Sequence, residues 1–147
     1  MNTIDTYINE ARKWLGTPFR LHARVLGHGV DCNTLVFEAV VSIGIKYDPN
    51  DRGPYRLMEH NDPGPGMAAL FEQIAMGSFT KVQTQTPQRG DVIAFRIGGK
   101  LQHVSIAINQ TRHLHVCHVQ GVIEDEIEPS MLKRIAYVYR FTGEMNE

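Results

Sequence analysis

The chain has 147 residues, a mass of 16.6 kDa and a formal net charge of −1, with 42% hydrophobic and 21% charged residues. This length and composition are typical of one globular domain, so we expect residues 1–147 to form a single domain. The balanced charge gives no electrostatic basis for binding nucleic acid, and no apolar run approaches the ~20 residues of a membrane helix, so we expect neither partner.

The cysteine content and the N-terminus indicate where the protein is made. Two cysteines, Cys32 and Cys117, are too few for a disulfide framework. The first residues lack a basic stretch followed by an apolar stretch, so no secretory signal is visible. We therefore expect synthesis as a cytoplasmic product.

Two helices are predicted in the first third of the chain. Asn2 or Thr3 can cap the first and Gly16 can end it. Asp31 is the predicted N-cap of the second helix, which runs from Cys32 to about Ile43. The apolar face of the first helix has the spacing of a helical stripe and consists of Ile4, Tyr7, Ile8, Ala11, Trp14 and Leu15.

The second half of the chain has the period of strands. Residues 45–66 are rich in Pro, Gly, Asp and Asn and predict a long loop, and a short helix is expected over residues 67–76. Residues 91–97 then predict a strand that the glycine pair 98–99 turns back into a hairpin. Helices followed by about five antiparallel strands predict an α+β fold, with the N-terminal helices packed on the sheet.

Cys32 is the first candidate for chemistry. It lies at the first turn of a predicted helix, where the helix dipole favours a thiolate over a thiol. A thiolate is the nucleophile that cysteine catalysis requires. The alternative interpretation is a small buried apolar residue.

Two histidines can serve such a nucleophile. His103 opens a predicted strand after the hairpin turn, and His115 lies twelve residues later on the next strand. If the two strands pair, His115 can hydrogen-bond the far nitrogen of His103 and orient its ring, as the third member of a triad does. The alternative for His103 is a strand-end histidine without a role.

A metal site is a competing interpretation. His113, His115 and Cys117 alternate along one strand and share a face, and His103 can join them. The spacings of structural zinc sites and the His-Glu-x-x-His helix are both missing, so we expect no metal. A third interpretation makes His113 and His118 ordinary surface residues. The carboxylates at 124, 125, 126 and 128 are interpreted as a solvated face.

Five segments together resemble one known family. Residues 14–20 (WLGTPFR) and 29–36 (GVDCNTLV) are similar to the nucleophile region of the NlpC/P60 cysteine peptidases. Residues 87–95 (PQRGDVIAF), 103–106 (HVSI) and 114–116 (LHV) are similar to its later strand motifs. The motifs occur in the family's order and spacing, and the resemblance extends over nearly the whole chain.

The resemblance implies a papain-like α+β fold and a peptidase that needs no cofactor. Cys32 would be the nucleophile, His103 the general base and acid, and His115 the orienting residue, with the Cys32 N–H in the oxyanion hole. The substrate would be a stem peptide of the bacterial cell wall. Phe19, Asp31 and Asn33 would line the substrate site.

The chain departs from the family pattern at two places beside these residues. Phe19 stands where the family usually has Tyr, so a hydroxyl near the thiol is missing. Asn33 and Thr34 replace the usual Ser-Gly pair after the cysteine, which puts recognition of a free peptide amine in doubt.

The loop of residues 19–29 resembles a subset of the family found in phages and prophages. That resemblance implies a compact peptidase that travels with the phage tail, with tail proteins as partners, and acts on the cell wall. Arg20, Arg24 or Arg56 would then meet a substrate carboxylate, for which the planar guanidinium is suited. The alternative for each is a solvated loop arginine.

Two further functions stay open. The same fold and triad serve amidases and acyltransferases, which form the same thioester from other donors. The domain can also be a tail assembly or structural component that keeps the fold for binding.

Overall fold

In the computed structural model, which describes residues 2–45 and 77–143, the first predicted helix forms α1 (Thr3–Arg12). The side chain of Asn2 caps it and accepts a hydrogen bond from the Asp5 N–H at 2.8 Å. The helix ends earlier than predicted because Gly16 takes a left-handed φ of +86° and its N–H bonds the carbonyl of Val122. Trp14 still packs in the core, from the turn that follows α1.

The second helix, α2 (Cys32–Val41), starts where the sequence predicts. Asp31 is its N-cap and forms a capping box with Thr34, in which each side chain bonds the other's backbone N–H. Two short strands, β1 (Arg24–Val25) and β2 (Gly29–Val30), pair antiparallel in the loop before it. The loop therefore forms a short antiparallel hairpin directly before Cys32.

Six strands form the main sheet, in the spatial order β3-β8-β4-β5-β6-β7 with antiparallel pairing throughout. A short helix, α3 (Pro129–Leu132), connects the last two strands. The strands are β3 (Phe79–Val82), β4 (Val92–Ile97), β5 (Lys100–Ala107), β6 (Arg112–Cys117), β7 (Gly121–Glu126) and β8 (Ile135–Phe141). The predicted α+β fold is confirmed.

The prediction of about five strands missed β3. This strand pairs only with β8 at one edge of the sheet, and its two middle residues, Thr80 and Lys81, are exposed. A short edge strand with polar middle residues has a weak alternation signal. The predicted hairpin at Gly98-Gly99 does join β4 to β5, with positive φ at both glycines as the favoured two-residue turns require.

The sheet separates two clusters of buried side chains. The helix-side cluster lies between the helices and the sheet and contains Cys32, Val104 and Leu114. The second cluster, on the opposite face, contains Phe95 and Ala107. Because successive residues of a strand point to opposite faces, neighbours along β5 belong to different clusters.

Some sequence-based predictions fall outside the described ranges. The loop predicted over residues 45–66 and the helix predicted over residues 67–76 lie there, apart from residue 45, and so does Arg56. Within the described ranges, no helix combines the length and apolarity needed to cross a membrane.

Candidate active site

Cys32 is the first residue of α2, and the start of that helix is held by Asp31. The Asp31 carboxylate is fully buried and accepts hydrogen bonds from the N–H groups of Thr34, at 2.9 Å, and His22, at 2.6 Å. The hydroxyl of Thr34 also donates to the carbonyl of Ala23 at 2.7 Å. These bonds fix the backbone on both sides of the thiol.

The protonation state of Cys32 is governed by burial. Its side chain is only 5% exposed, and burial, followed by the charge of Asp31, raises the pKa of the thiol to about 12. Backbone N–H groups of Val104, Asn33 and Cys32 itself act in the opposite direction and lower the pKa. The lowered pKa expected from the helix terminus is thus outweighed by desolvation, and the thiol is neutral at pH 7 in this structure.

His103 lies on β5 directly before Val104, the residue whose N–H reaches the Cys32 thiol. Its ring centre is 5.5 Å from that of Phe95 and 5.9 Å from that of His115, perpendicular to the latter. Burial, and then His115 and His118, lower the pKa of His103 to about 3. The imidazole is therefore neutral, and its surroundings disfavour protonation.

The thiol of Cys32 and the ring of His103 pack in different clusters, on opposite faces of the sheet. Val104 packs with Cys32 in the helix-side cluster, whereas the ring of His103 packs on Phe95 in the second cluster. One contact between α2 and the middle of β5 is the hydrogen bond from the Val104 N–H to the Cys32 sulfur.

His115, on β6, has a partner that sequence reasoning missed. Its Nε2 lies 2.8 Å from Oδ1 of Asp125 on β7, and the carboxylate can only accept, so Nε2–H donates. Only Nδ1 of His115 is then left to face His103. The sequence predicts a solvated face for Asp125, but the register of β7 on β6 places it opposite His113 and within hydrogen-bond distance of His115.

His113 is buried rather than a surface residue. Its Nδ1 lies 2.8 Å from Oγ of Ser105, and its ring stacks on His115 at 4.0 Å between centres. Burial is the main cause that lowers its pKa. One donor atom from each of His113, His115 and Asp125 lies within 4.8 Å of the other two, which is a spacing that can hold a metal ion. The predicted ligand set named Cys117 and His103 instead of Asp125.

Phe19 and Asn33 both lie beside the predicted triad. Phe19 stacks on His118 at 4.2 Å between ring centres, and His118 is one of the charges that act on His103. Asn33 follows Cys32 and is fully buried. Both polar atoms of its side-chain amide lack a hydrogen-bond partner within residues 2–45 and 77–143. Such a group is rare in folded proteins and marks a functional candidate.

The remaining predicted substrate residues have structural contacts. Arg24 forms an ion pair with Glu38 at 3.0 Å, and Asp31 uses both carboxylate oxygens to hold backbone N–H groups. Their roles toward a substrate stay predictions. Arg20 is exposed.

A basic cleft lies away from these residues. Its volume is about 470 Å³, and it lies along β8 and the neighbouring ends of β3 and β4. Four cationic side chains line it: Lys81, Arg96, Lys133 and Arg134. None of the predicted catalytic residues borders this cleft.

Comparison with known proteins gives one family match. The model of the NlpC/P60 family matches residues 16–140, which is most of the chain. No curated protein sequence matches it.

Several solved structures share the fold at low sequence identity. An NlpC/P60 family protein from Bacillus cereus is 22% identical with a TM-score of 0.63, and the match covers 94% of this chain and 40% of that one. The peptidoglycan hydrolase RipB of Mycobacterium tuberculosis is 18% identical, with a TM-score of 0.62 and coverages of 94% and 64%. RipD of the same organism, described as a non-catalytic domain adapted to peptidoglycan binding, is 18% identical, with a TM-score of 0.62 and coverages of 95% and 98%.

Proposed function

The chain belongs to the NlpC/P60 family, and on that premise we propose that it hydrolyses peptide bonds of bacterial peptidoglycan through a thioester on Cys32. The family contains peptidoglycan hydrolases, and a structural neighbour, RipB, is one by name. The structures that share this fold also include RipD, described as a non-catalytic peptidoglycan-binding protein, so the fold alone does not distinguish hydrolysis from binding.

The contact between α2 and β5 carries the proposal. The thiol of Cys32 accepts the N–H of Val104, the residue next to His103, and His103 in turn contacts the ring of His115. The family resemblance assigns these three residues, which come from three separate elements, the roles of nucleophile, base and orienting group. A cysteine hydrolase needs those three roles.

The chemistry starts from a neutral pair. Bound substrate turns the His103 ring from the second cluster toward the Cys32 thiol and favours its protonation. His103 then takes the proton of the thiol as sulfur attacks the substrate carbonyl, and the N–H of Cys32 at the helix terminus donates to the oxyanion. Protonated His103 then gives the proton to the departing amine, which leaves a thioester. A water molecule, deprotonated by His103, cleaves the thioester and restores the thiol. His115 stabilises the His103 imidazolium formed in each half-reaction.

Asn33 is the proposed specificity residue of the site. Its unpartnered amide lies one residue from the nucleophile, where it can bond a polar group of the stem peptide. Phe19, stacked on His118, supplies an apolar wall where the family pattern has a hydroxyl.

Digestion of purified muropeptides tests the proposal. Cys117→Ser protein should release fragments that together gain the mass of one water, and Cys32→Ala in the same background should release none. The mass and position of the cut separate a peptidase from an amidase, and a product joined to an added amine indicates an acyltransferase. Muropeptides left intact by the Cys117→Ser protein would overturn the proposal.

Peptidoglycan binding without hydrolysis is the second candidate, and the buried thiol favours it. A cysteine whose pKa is raised to about 12 is a poor nucleophile at pH 7. Alkylation of Cys32 in Cys117→Ser protein separates the two candidates when it is followed against pH. An alkylation rate at pH 7 that rises when a muropeptide is added supports the enzyme. A thiol that stays inert with bound muropeptide supports the binder.

The phage-tail association is also proposed here. The loop on which that resemblance rests exposes the apolar side chains of Leu21, Val25 and Leu26, at 37%, 57% and 54%. Exposed apolar side chains grouped on one loop suit a protein partner. Phage particles carrying Cys32→Ala should assemble normally and fail at wall penetration. Failed assembly would favour the structural role.

A further inference from the structure

We propose that His113, His115 and Asp125 form a binding site for a zinc-class divalent cation, and that the bound cation inhibits hydrolysis through the neighbouring His103. The switching part rests on the proposed function. The binding part stands on the geometry of β6 and β7 alone.

Strand geometry brings the three ligands together. His113 and His115 are two residues apart on β6, so both rings project from one face of the sheet. Asp125 on β7 is the direct partner of His113 in the antiparallel register, so its carboxylate faces the same pair. The two rings stack at 4.0 Å with an interplanar angle of 19°, so one ring must rotate for both Nε2 lone pairs to meet at a single ion.

The distances between donor atoms suit a tetrahedral ion. Oδ1 of Asp125 is 2.8 Å from Nε2 of His115 and 3.7 Å from Nε2 of His113, and the set lies within 4.8 Å. A tetrahedral zinc ion with bonds of about 2.0–2.2 Å needs donor atoms roughly 3.3 Å apart. The donor–donor distances would therefore have to change by a few tenths of an ångström up to about 1.5 Å to hold the ion.

An outer partner and an access path complete the site. Nδ1–H of His113 can donate to Oγ of Ser105 at 2.8 Å, which leaves the lone pair of Nε2 for a metal. The side chain of His113 is 4% exposed, whereas that of Asp125 is 50% exposed. The ion can therefore enter from the carboxylate side and keep a water as its fourth ligand.

Metal binding changes the surroundings of His103. The ring centres of His115 and His103 lie 5.9 Å apart, so a divalent cation on Nε2 of His115 brings positive charge close to His103. That charge opposes the positive charge that His103 takes up in the proposed reaction, so the loaded protein should be inactive.

Zinc binding is tested on protein that lacks both thiols. Cys32→Ala/Cys117→Ser protein, titrated with Zn²⁺ against a chromophoric chelator, should bind one equivalent. Asp125→Asn and His113→Gln in this background should each weaken binding by at least about tenfold. His28→Gln, at an exposed histidine elsewhere, should bind like the parent. Because Asp125 is half-exposed, its variant should fold even if His113→Gln does not. The absence of stoichiometric binding, or binding unchanged by Asp125→Asn, overturns the site.

The switch is tested by activity in the Cys117→Ser background. Zn²⁺ should abolish muropeptide hydrolysis, a chelator should restore it, and His113→Gln should stay active at the same zinc concentration. Inhibition that persists in His113→Gln places the inhibiting ion elsewhere, for example on Cys32, and overturns the switch. If no condition shows hydrolysis, the proposed function fails while the binding titration still decides the metal site.

Discussion

Burial sets the charge state of the residues at this centre. It raises the pKa of Cys32 and lowers the pKa values of His103 and His113, so all three are neutral at pH 7. The raised pKa of Cys32 and the lowered pKa of His103 both oppose a preformed thiolate–imidazolium pair.

Acid should destabilise the fold through the buried histidines. The pKa values of His103 and His113 are lowered in the folded state. Below the ordinary histidine pKa of about 6.5, the unfolded chain therefore binds more protons than the folded chain. Their contribution is complete above that pH and is lost as the pH falls toward the folded values. We expect the free energy of unfolding to fall by about 1 kcal/mol per pH unit for each histidine between pH 6 and pH 4.

Urea unfolding at several pH values measures this loss. His113→Gln should remove about half of the slope, whereas exposed His28→Gln should leave it unchanged. A slope that is the same in wild type and His113→Gln would contradict the neutral, buried state of His113.

Replacing Asn33 should preserve the stability of the protein and reduce its activity. Its buried amide lacks a partner within the described ranges, and such a group costs about 1–3 kcal/mol. Asn33→Ala should therefore melt no lower than wild type while muropeptide hydrolysis falls at least about tenfold, a loss of ~1.4 kcal/mol of transition-state binding. Asn109 is the matched control, because its amide oxygen accepts the N–H groups of Thr111 and Arg112. Asn109→Ala should lower the melting temperature and leave hydrolysis intact.

At the scale of elements, the start of α2 positions the nucleophile. The capping box of Asp31 and Thr34, together with the Thr34 bond to Ala23, joins the helix to the preceding loop. Any loosening there displaces Cys32, because Cys32 is the first residue of the helix.

Thr34→Val keeps the shape of the side chain and removes its hydrogen bonds. We expect a loss of about 1–2 kcal/mol of stability, together with faster alkylation of Cys32 as the helix start frays. Ser42→Ala, at the other end of α2, should cost less than about 0.5 kcal/mol and leave alkylation unchanged. Equal effects of the two variants would show that the capping box does not hold the thiol.

At the scale of the molecule, the segment after α1 is attached to the edge of the sheet. Val122 on β7 accepts the N–H of Gly16 and donates its own N–H to Thr17. This attachment lies next to the stacking contact of Phe19 with His118.

Gly121 is the tightest point of this attachment. A Cβ there would lie 2.2 Å from the carbonyl oxygen of Thr17, and the φ of +75° already disfavours a side chain. Gly121→Ala should cost more than about 2 kcal/mol, because the clash adds to the left-handed penalty. Gly99→Ala, with φ of +80° and open space around it, should cost only about 1–2 kcal/mol. Thermal melts of both variants measure the difference, and equal shifts would contradict the close approach.

Local sequence patterns predict those features that depend on residues close together in the chain. The N-cap at Asp31, the place of Cys32 in the first turn of α2 and the shared face of His113 and His115 follow from local capping and from the period of two. The order of its motifs also indicated the family and the α+β fold, which the family match and the shared fold bear out.

The surroundings of these residues become visible in the folded structure. The partnership of His115 with Asp125 depends on the register of β7 on β6, and the neutrality of Cys32 depends on how deeply α2 packs against β5. Register and burial depth arise from contacts between residues far apart in the chain, and local patterns do not specify those distances.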